Sequence, residues 1–314
     1  MQDAGGIKER LDRIRSLAAA ERSSTPPPPR SAKLELTSDC NLNCLFCART
    51  RQPRVNSEMP WPLFTRVAHE LSNAGVEQLG LFYMGEPLLC EWLSDAIRYA
   101  KRECGYRYVF VTTNGTGASP NRVRACIAAG LDSLKFALNF SGPKQLQELA
   151  GGAAAQYRLL VRNVEGARRV RDELLSETGH RCALYGSSLL YDDEQRVRMY
   201  KALRKLLPSL DEHYWLPLYG HMAAPGLRAT PPHHIARPVS RKALPCWSLF
   251  TEAHVTCDGE LSACCLDASP RFHMGDLTTT PFTQVWHGAR FQALRAAHLA
   301  GDVRGTACES CLAY

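Results

Sequence analysis

Leu34-Glu35-Leu36-Thr37-Ser38-Asp39-Cys40-Asn41-Leu42-Asn43-Cys44-Leu45-Phe46-Cys47 carries an extended run into a loop with three cysteines, separated by three residues and then by two. In a sheet built of βαβ units, ligands bind at the carboxyl ends of the strands, so a ligating loop directly after a strand is well placed. Three thiolates cannot by themselves close a tetrahedral zinc site. They can hold three irons of a cubane [4Fe–4S] cluster and leave the fourth iron open to a bidentate ligand.

Outward from this loop the chain alternates short β-like runs with longer helical ones. Strands are predicted at Leu34–Thr37, Leu79–Tyr83, Tyr108–Thr112, Ser133–Leu138, Cys182–Leu189 and His213–Leu218. Helical patterns fall at Pro62–Ala74, Leu93–Arg102, Pro120–Ala129 and Tyr157–Leu175. Alternation of this kind argues for an α/β fold with a parallel sheet. Six units are too few for an eight-unit barrel, so a partial (β/α)6 barrel is expected over residues 31–235. Upstream, residues 6–22 show helical spacing and Thr25-Pro26-Pro27-Pro28-Pro29 reads as a stiff spacer, so residues 1–30 are expected to form a peripheral arm.

Around Pro225–Pro245 the alternation stops in a segment rich in Pro, Arg and His. Beyond it a hairpin is predicted, Thr251–Thr256 and Glu260–Cys265 around Asp258-Gly259, then a helix over Phe282–Leu299. A small C-terminal domain of hairpin plus helix is placed at 236–314, ending in Cys308-x2-Cys311.

The 314 residues are 45% apolar and 22% charged, which excludes a mostly disordered chain, a collagen and a coiled coil. The net charge of +7 is spread without a dense basic tract, so nucleic acid is not implied, although a basic surface favours an anionic substrate or partner. No apolar run is long enough to span a bilayer, and the first 24 residues contain no apolar core of a secretory signal; a cytoplasmic location is expected. In a reducing compartment, 13 cysteines point to metal or redox chemistry rather than disulfides.

The motif Cys40-x3-Cys44-x2-Cys47, with Phe46 just before the third cysteine, resembles the signature of the radical S-adenosylmethionine (SAM) superfamily. Two further elements match where that family has them. Met84-Gly85-Glu86-Pro87 is similar to its Gly-Gly-Glu-Pro loop, with Met84 in place of the first glycine. The resemblance implies that this loop grips the amino group of SAM, with Glu86 as the carboxylate partner. Thr112-Thr113-Asn114-Gly115 resembles the family's Thr-Asn-Gly element beside the same cofactor. Asn139 and Ser187 or Ser188 are candidate ribose or carboxylate contacts, with ordinary strand-end polar residues as the alternative.

The tail, from Pro245-Cys246-Trp247 through Cys264-Cys265 and Gly275-Asp276-Leu277 to Cys308-x2-Cys311, resembles the SPASM/Twitch extension of that superfamily. It is too short for a full SPASM domain with two auxiliary clusters. The Twitch form implies one cluster, bound by Cys246, Cys264, Cys308 and Cys311; the same four thiols could instead hold structural zinc. Two [4Fe–4S] clusters, SAM and reduced flavodoxin or ferredoxin as electron donor follow from the resemblance. Cys90, Cys104, Cys126 and Cys182 read as packing residues.

In size and layout the chain resembles the family's aminocyclitol dehydrogenases and aminoglycoside epimerases. That resemblance implies hydrogen abstraction by a 5′-deoxyadenosyl radical from a carbinol carbon of a sugar-like small molecule. Epimerisation is the favoured outcome, with a cysteine returning hydrogen to the opposite face: Cys265 first, Cys257 second. Dehydrogenation is the alternative outcome, and a peptide-modifying maturase the lesser one. A polycationic substrate would need local carboxylates, for which Asp192, Asp193 and Glu194 are available.

Overall fold

The computed structural model describes residues 6–51, 54–190, 193–217 and 244–309. In chain order the elements are α1 (Ile7–Arg15), β1 (Ser31–Leu34), α2 (Ala48–Arg51), α3 (Trp61–Asn73), β2 (Gln78–Gly80), α4 (Leu93–Arg102), β3 (Tyr108–Thr113), α5 (Pro120–Ala128), β4 (Ser133–Ala137), α6 (Pro143–Ala150) and α7 (Ala154–Thr178). There follow β5 (Ala183–Leu190), α8 (Asp193–Leu203), β6 (Glu212–Pro217), α9 (Ser248–Thr251), β7 (Glu252–Val255), β8 (Glu260–Ser262), β9 (His273–Asp276), α10 (Phe282–Trp286) and α11 (Ala289–Leu299). The sheet order is β6-β5-β4-β3-β2-β1-β7-β8-β9. The strands from β6 to β7 are parallel, and the last three form an antiparallel meander.

The alternation along the strands explains why the sheet curls. Ala32 and Leu34, Val109 and Val111, Leu134 and Phe136 face outward into the main core, against Phe64, Ile97, Ile127 and Val164 of the helices. Their neighbours Lys33, Phe110, Thr112 and Lys135 face the other way and line one cavity of 260 Å³. Tyr214 of β6 and Glu252 of β7 line it too. Strands so far apart in the sheet order can share a cavity only if the sheet closes around it, which is the partial barrel expected.

The first strand lies three residues earlier than expected, at Ser31–Leu34 rather than Leu34–Thr37. After Leu34 the extended chain leaves the ladder, and Leu36 and Thr37 pair with the segment at 57–59 instead: Met59 N donates to Leu36 O, and Thr37 forms an antiparallel bridge with Glu58. The predicted C-terminal helix is two helices, because the chain turns at Gly288. The hairpin turn lies at Asp258-Gly259, where Gly259 takes φ +91°, a conformation that a side chain disfavours.

Two expectations about layout change. The C-terminal strands extend the barrel sheet, with Ser31 opposite Glu252 and Leu34 opposite Val255, which covers the otherwise open edge of β1. The N-terminal segment is packed rather than peripheral. Ile7, Arg10 and Ile14 lie on one face of α1 and are buried at the amino ends of the strands. Ile7 packs with Tyr185 and Tyr214. Arg10 Nη1 donates to Gln78 Oε1 at 3.1 Å, and Thr251 Oγ1 donates to the Ile14 carbonyl at 2.6 Å. The proline spacer is held against the last helices, for Trp286 Nε1 donates to the Pro27 carbonyl at 3.2 Å. Hydrophobic spacing shows that such a helix is amphipathic, but not what covers its apolar face.

Candidate functional site

The three-cysteine loop is docked before any ligand is considered. Asn43 N and Leu45 N donate to the carbonyls of Ala150 and Leu149 at the end of α6. Arg49 Nε and Nη2 donate to the carbonyls of Ser38 and Cys40, both at 3.0 Å. Leu42 and Phe46 pack with Phe140, Leu146, Leu149 and Leu189, the Phe46 ring standing 6.1 Å from that of Phe140. Burial pushes the Cys40 thiol up to about 11, with the Cys47 charge adding to it. Cys44 is pushed well above its ordinary value by burial and then by Cys47 and Cys40. Three thiols this close resist ionisation together until a cation joins them, and metal binding deprotonates a thiol outright. Among the described residues no three ligating side chains close on a single ion. Three soft thiolate donors from one loop fit three irons of a cubane better than a four-coordinate zinc site.

Gly85-Glu86 lies against this loop. Glu86 N donates to the Asp39 carbonyl at 2.7 Å. A Cβ on Gly85 would stand 2.0 Å from the Thr37 carbonyl oxygen and 2.8 Å from that of Asp39. Only glycine permits this approach, so Gly85→Ala is expected to separate the two loops. Urea unfolding should show a loss of about 2 kcal/mol or more, as for other overpacked sites, and SAM binding should fall with it. An alanine variant of normal stability and affinity would contradict the close approach.

Glu86 is 3% exposed. Its carboxylate accepts from Thr113 Oγ1 at 2.6 Å, Asn114 N at 2.7 Å and Leu88 N at 3.1 Å. Burial raises its pKa, and these three donors pull against the rise. All three are neutral, which leaves the charge for an ammonium ligand to balance. Asn114 Nδ2 donates to Asn41 Oδ1 at 2.8 Å and lies 3.9 Å from Cys40 Sγ. The two cofactor motifs and the cysteine loop are therefore one constellation.

Of the other expected contacts, Asn139 Oδ1 accepts from Leu189 N at 3.1 Å. The two serines of β5 separate: Ser188 donates to the Leu138 carbonyl at 2.5 Å and lies 2.9 Å from His213 Nε2. Ser187 is on the face of β5 that carries Leu189, a cavity-lining residue, since side chains alternate along a strand.

In the C-terminal part, Cys264 is partly buried, and desolvation, then the charges of Cys265 and Cys246, push its thiol well above its ordinary value. Cys246 N donates to His298 Nδ1 at 3.2 Å, and Cys308 is buried in the main core. Cys311 lies outside the described residues. Cys265 lines the cavity and Cys257 does not. Cys257 sits instead among Ser57 Oγ at 3.1 Å, Asp258 Oδ1 at 3.2 Å and Arg54 Nη2 at 3.3 Å. Burial, then the nearby Glu35, pushes its thiol up to about 12. Cys90, Cys104, Cys126 and Cys182 are buried packing residues as expected.

Two linking residues carry no motif. Tyr83, next to the Met84–Pro87 loop, is partly buried, and its hydroxyl reaches the Cys264 carbonyl, with Ser262 Oγ at 3.3 Å and the Asp267 carbonyl at 3.1 Å. It fixes the Cys264-Cys265 segment over the cavity. Glu35 accepts from Arg54 Nη1 at 2.7 Å, Cys257 N at 3.0 Å and Met84 N at 3.2 Å, and so ties the first strand, the hairpin and the cofactor loop together. Of the acidic residues suggested for a polycationic substrate, Glu194 is exposed and paired with Arg198, while Asp192 and the side chain of Asp193 lie outside the described residues.

The family models agree with this constellation. That of the radical SAM superfamily matches residues 34–176, and that of an iron-sulfur cluster-binding domain, SPASM, matches 246–312. A GTP 3′,8-cyclase of Chlorobaculum tepidum is 30% identical over 107 residues, 34% of this chain and 32% of that protein. A PqqA peptide cyclase of Streptomyces rochei is 29% identical over 143 residues, 45% of this chain and 37% of that protein. The chain thus matches well under half the length of these relatives. Among solved structures, BtrN in complex with AdoMet and 2-DOIA has a TM-score of 0.55 at 17% identity, covering 87% of this chain and 88% of that one. SuiB of Streptococcus suis bound to S-adenosylmethionine has a TM-score of 0.64 at 12% identity, covering 97% and 74%. Among the described residues no helix is long and apolar enough to cross a membrane. The cofactors that follow are S-adenosylmethionine and a [4Fe–4S] cluster for the radical SAM domain, with further iron–sulfur clusters for the SPASM domain. With the cysteine loop, the Glu86 carboxylate and the cysteine-bearing tail in these places, the chain carries a radical SAM domain followed by a C-terminal iron-sulfur cluster-binding SPASM domain.

Proposed function

We propose that this radical SAM enzyme epimerises a carbinol carbon of a hydroxylated, sugar-like small molecule, with Cys265 as the hydrogen donor. Residues 31–235 generate the radical and residues 236–314 hold one auxiliary cluster through Cys246, Cys264, Cys308 and Cys311, giving two [4Fe–4S] clusters per chain. A [4Fe–4S] cluster held by Cys40, Cys44 and Cys47, given one electron from flavodoxin or ferredoxin, would let bound SAM supply a 5′-deoxyadenosyl radical. The observation that carries the reading is that Cys265 lines the cavity while its neighbour Cys264 stands by Cys246.

The chain's own residues then divide the work. Glu86, Thr113 and Asn114 hold the methionine end of SAM at the carboxyl ends of β2 and β3. The barrel wall excludes water from the substrate carbon. Loss of a hydrogen atom from one face leaves a carbon radical, and the Cys265 thiol returns a hydrogen atom to the other face. The thiyl left behind needs one electron and one solvent proton to become a thiol again; a cluster held by Cys246, Cys264, Cys308 and Cys311 would supply that electron. Cys257 lies outside the cavity and is better placed to hold the hairpin turn.

The test compares wild type with Cys265→Ala, reduced with dithionite, in heavy water, on a panel of sugar phosphates and sugar acids. The wild type should form epimer with solvent deuterium at one carbon. Cys265→Ala should still form 5′-deoxyadenosine but at least tenfold less epimer. Undiminished product from the variant would sink the thiol-donor reading, and a ketone product from wild type would replace epimerisation by dehydrogenation.

A further inference from the structure

The floor of the cavity is basic, and part of that charge is unanswered. Among its described lining residues, Arg10, Arg15, Lys33 and Lys135 face a single carboxylate, Glu252. Lys33 Nζ already pairs with Glu252 at 2.7 Å, and His254 Nε2 lies 2.8 Å from the same carboxylate. Burial would raise the Glu252 pKa, but Lys33 and His254 hold it well below the usual range. That carboxylate is therefore spent. Arg15 is exposed.

Arg10 and Lys135 remain. Arg10 is 8% exposed, and its Nε is buried without a hydrogen-bond partner among the described residues. Its guanidinium lies 4.2 Å from the Phe110 ring centre and 4.8 Å from that of Tyr108, and among the described residues its one side-chain acceptor is the neutral Gln78. Lys135 Nζ donates to the Tyr214 hydroxyl at 3.2 Å and, among the described residues, has no carboxylate within ion-pair reach. Ring faces offset part of the cost of burying a guanidinium. A buried cation with an open donor still asks for an anion. Lys135 is opposite Thr112, two residues below Asn114 of the SAM constellation. At about 3.3 Å per strand residue, that places it roughly 7 Å deeper in the barrel. A substrate held there by one end would present its next carbons toward the cofactor and Cys265.

We propose that the cavity floor, through Arg10 of α1 and Lys135 of β4, seats an oxyanion group of the substrate, a carboxylate or a phosphate. This rests on the radical SAM reading of the same cavity and narrows its substrate to an acidic hydroxylated molecule, in place of a polycationic one. It also gives α1 a role in recognition, since the helix closes the barrel and brings a positive charge to its floor.

The test is calorimetric titration of the reconstituted, unreduced full-length enzyme with glycerol 3-phosphate, glycerate and glycerol. At least one of the two acids should bind and glycerol should not; the tighter acid identifies the group. Arg10→Met and Lys135→Met should each weaken binding roughly tenfold or more, the scale of one charge-assisted hydrogen bond, and Lys135→Arg should retain it. Should Arg10→Met fail to fold, the two Lys135 variants decide. Absence of binding by both acids, or wild-type binding in Lys135→Met, would overturn the proposal. Because no reductant is present, failure here leaves the Cys265 experiment intact, and failure of epimerisation leaves this titration intact.

Discussion

Replacing Cys40, Cys44 and Cys47 together by alanine will abolish SAM cleavage and lower the iron content from about eight atoms per chain to about four, if each cysteine set holds one cubane. The protein should remain folded. Arg49, the carbonyls of Leu149 and Ala150, and the packing of Leu42 and Phe46 position the loop without help from the thiols. Iron analysis and 5′-deoxyadenosine release measure the two effects separately. Iron near four in the wild type, with zinc in the tail, would remove the auxiliary cluster from the account. Cleavage by the triple variant would remove the first.

The second large effect is at Glu86. Glu86→Ala takes the acceptor from Thr113 Oγ1, Asn114 N and Leu88 N at once. A buried donor left unpaired costs about 1–3 kcal/mol, so a loss of about 3 kcal/mol in urea unfolding is expected even where water replaces some of the contacts. SAM binding should be lost with it. Glu86→Gln separates the two roles. The amide oxygen still accepts hydrogen bonds, so most of the stability should remain, but the negative charge that answers an ammonium group is gone. SAM affinity should fall at least tenfold by equilibrium dialysis. Normal SAM affinity in Glu86→Gln would mean that the carboxylate only braces the loops.

The cysteine loop, the Glu86 loop and the Asn114 turn were legible because each is a short contiguous string at a strand end. The long helices were legible for the usual reason, an apolar face repeated over several turns. The interior of the barrel was not. Lys33, Thr112 and Lys135 alternate with apolar residues, and that pattern is shared by a strand with one face in water. Period two shows that two faces differ; it does not show that the polar face closes on itself. Tyr83 and Glu35 were missed for another reason. Their partners Cys264, Cys257 and Arg54 belong to other elements, and local sequence carries no trace of such pairings. The split of the last helix at Gly288 was readable in principle, since an interior glycine weakens a helix.

The pairing of Ser31 with Glu252 sets an order of events during synthesis. Strands β1 to β6 leave the ribosome first and have their mutual partners as they emerge. The outer edge of β1 has none until residue 252 is made. At ~5–20 residues per second the interval is roughly 10 to 40 seconds. Through that time the nascent barrel presents an unpaired parallel edge next to its future cluster loop, the kind of surface that recruits a foreign strand. Contacts of such long sequence separation also form slowly. The last quarter of the chain therefore completes the sheet as well as bearing cysteines, and translation speed through it becomes a determinant of yield.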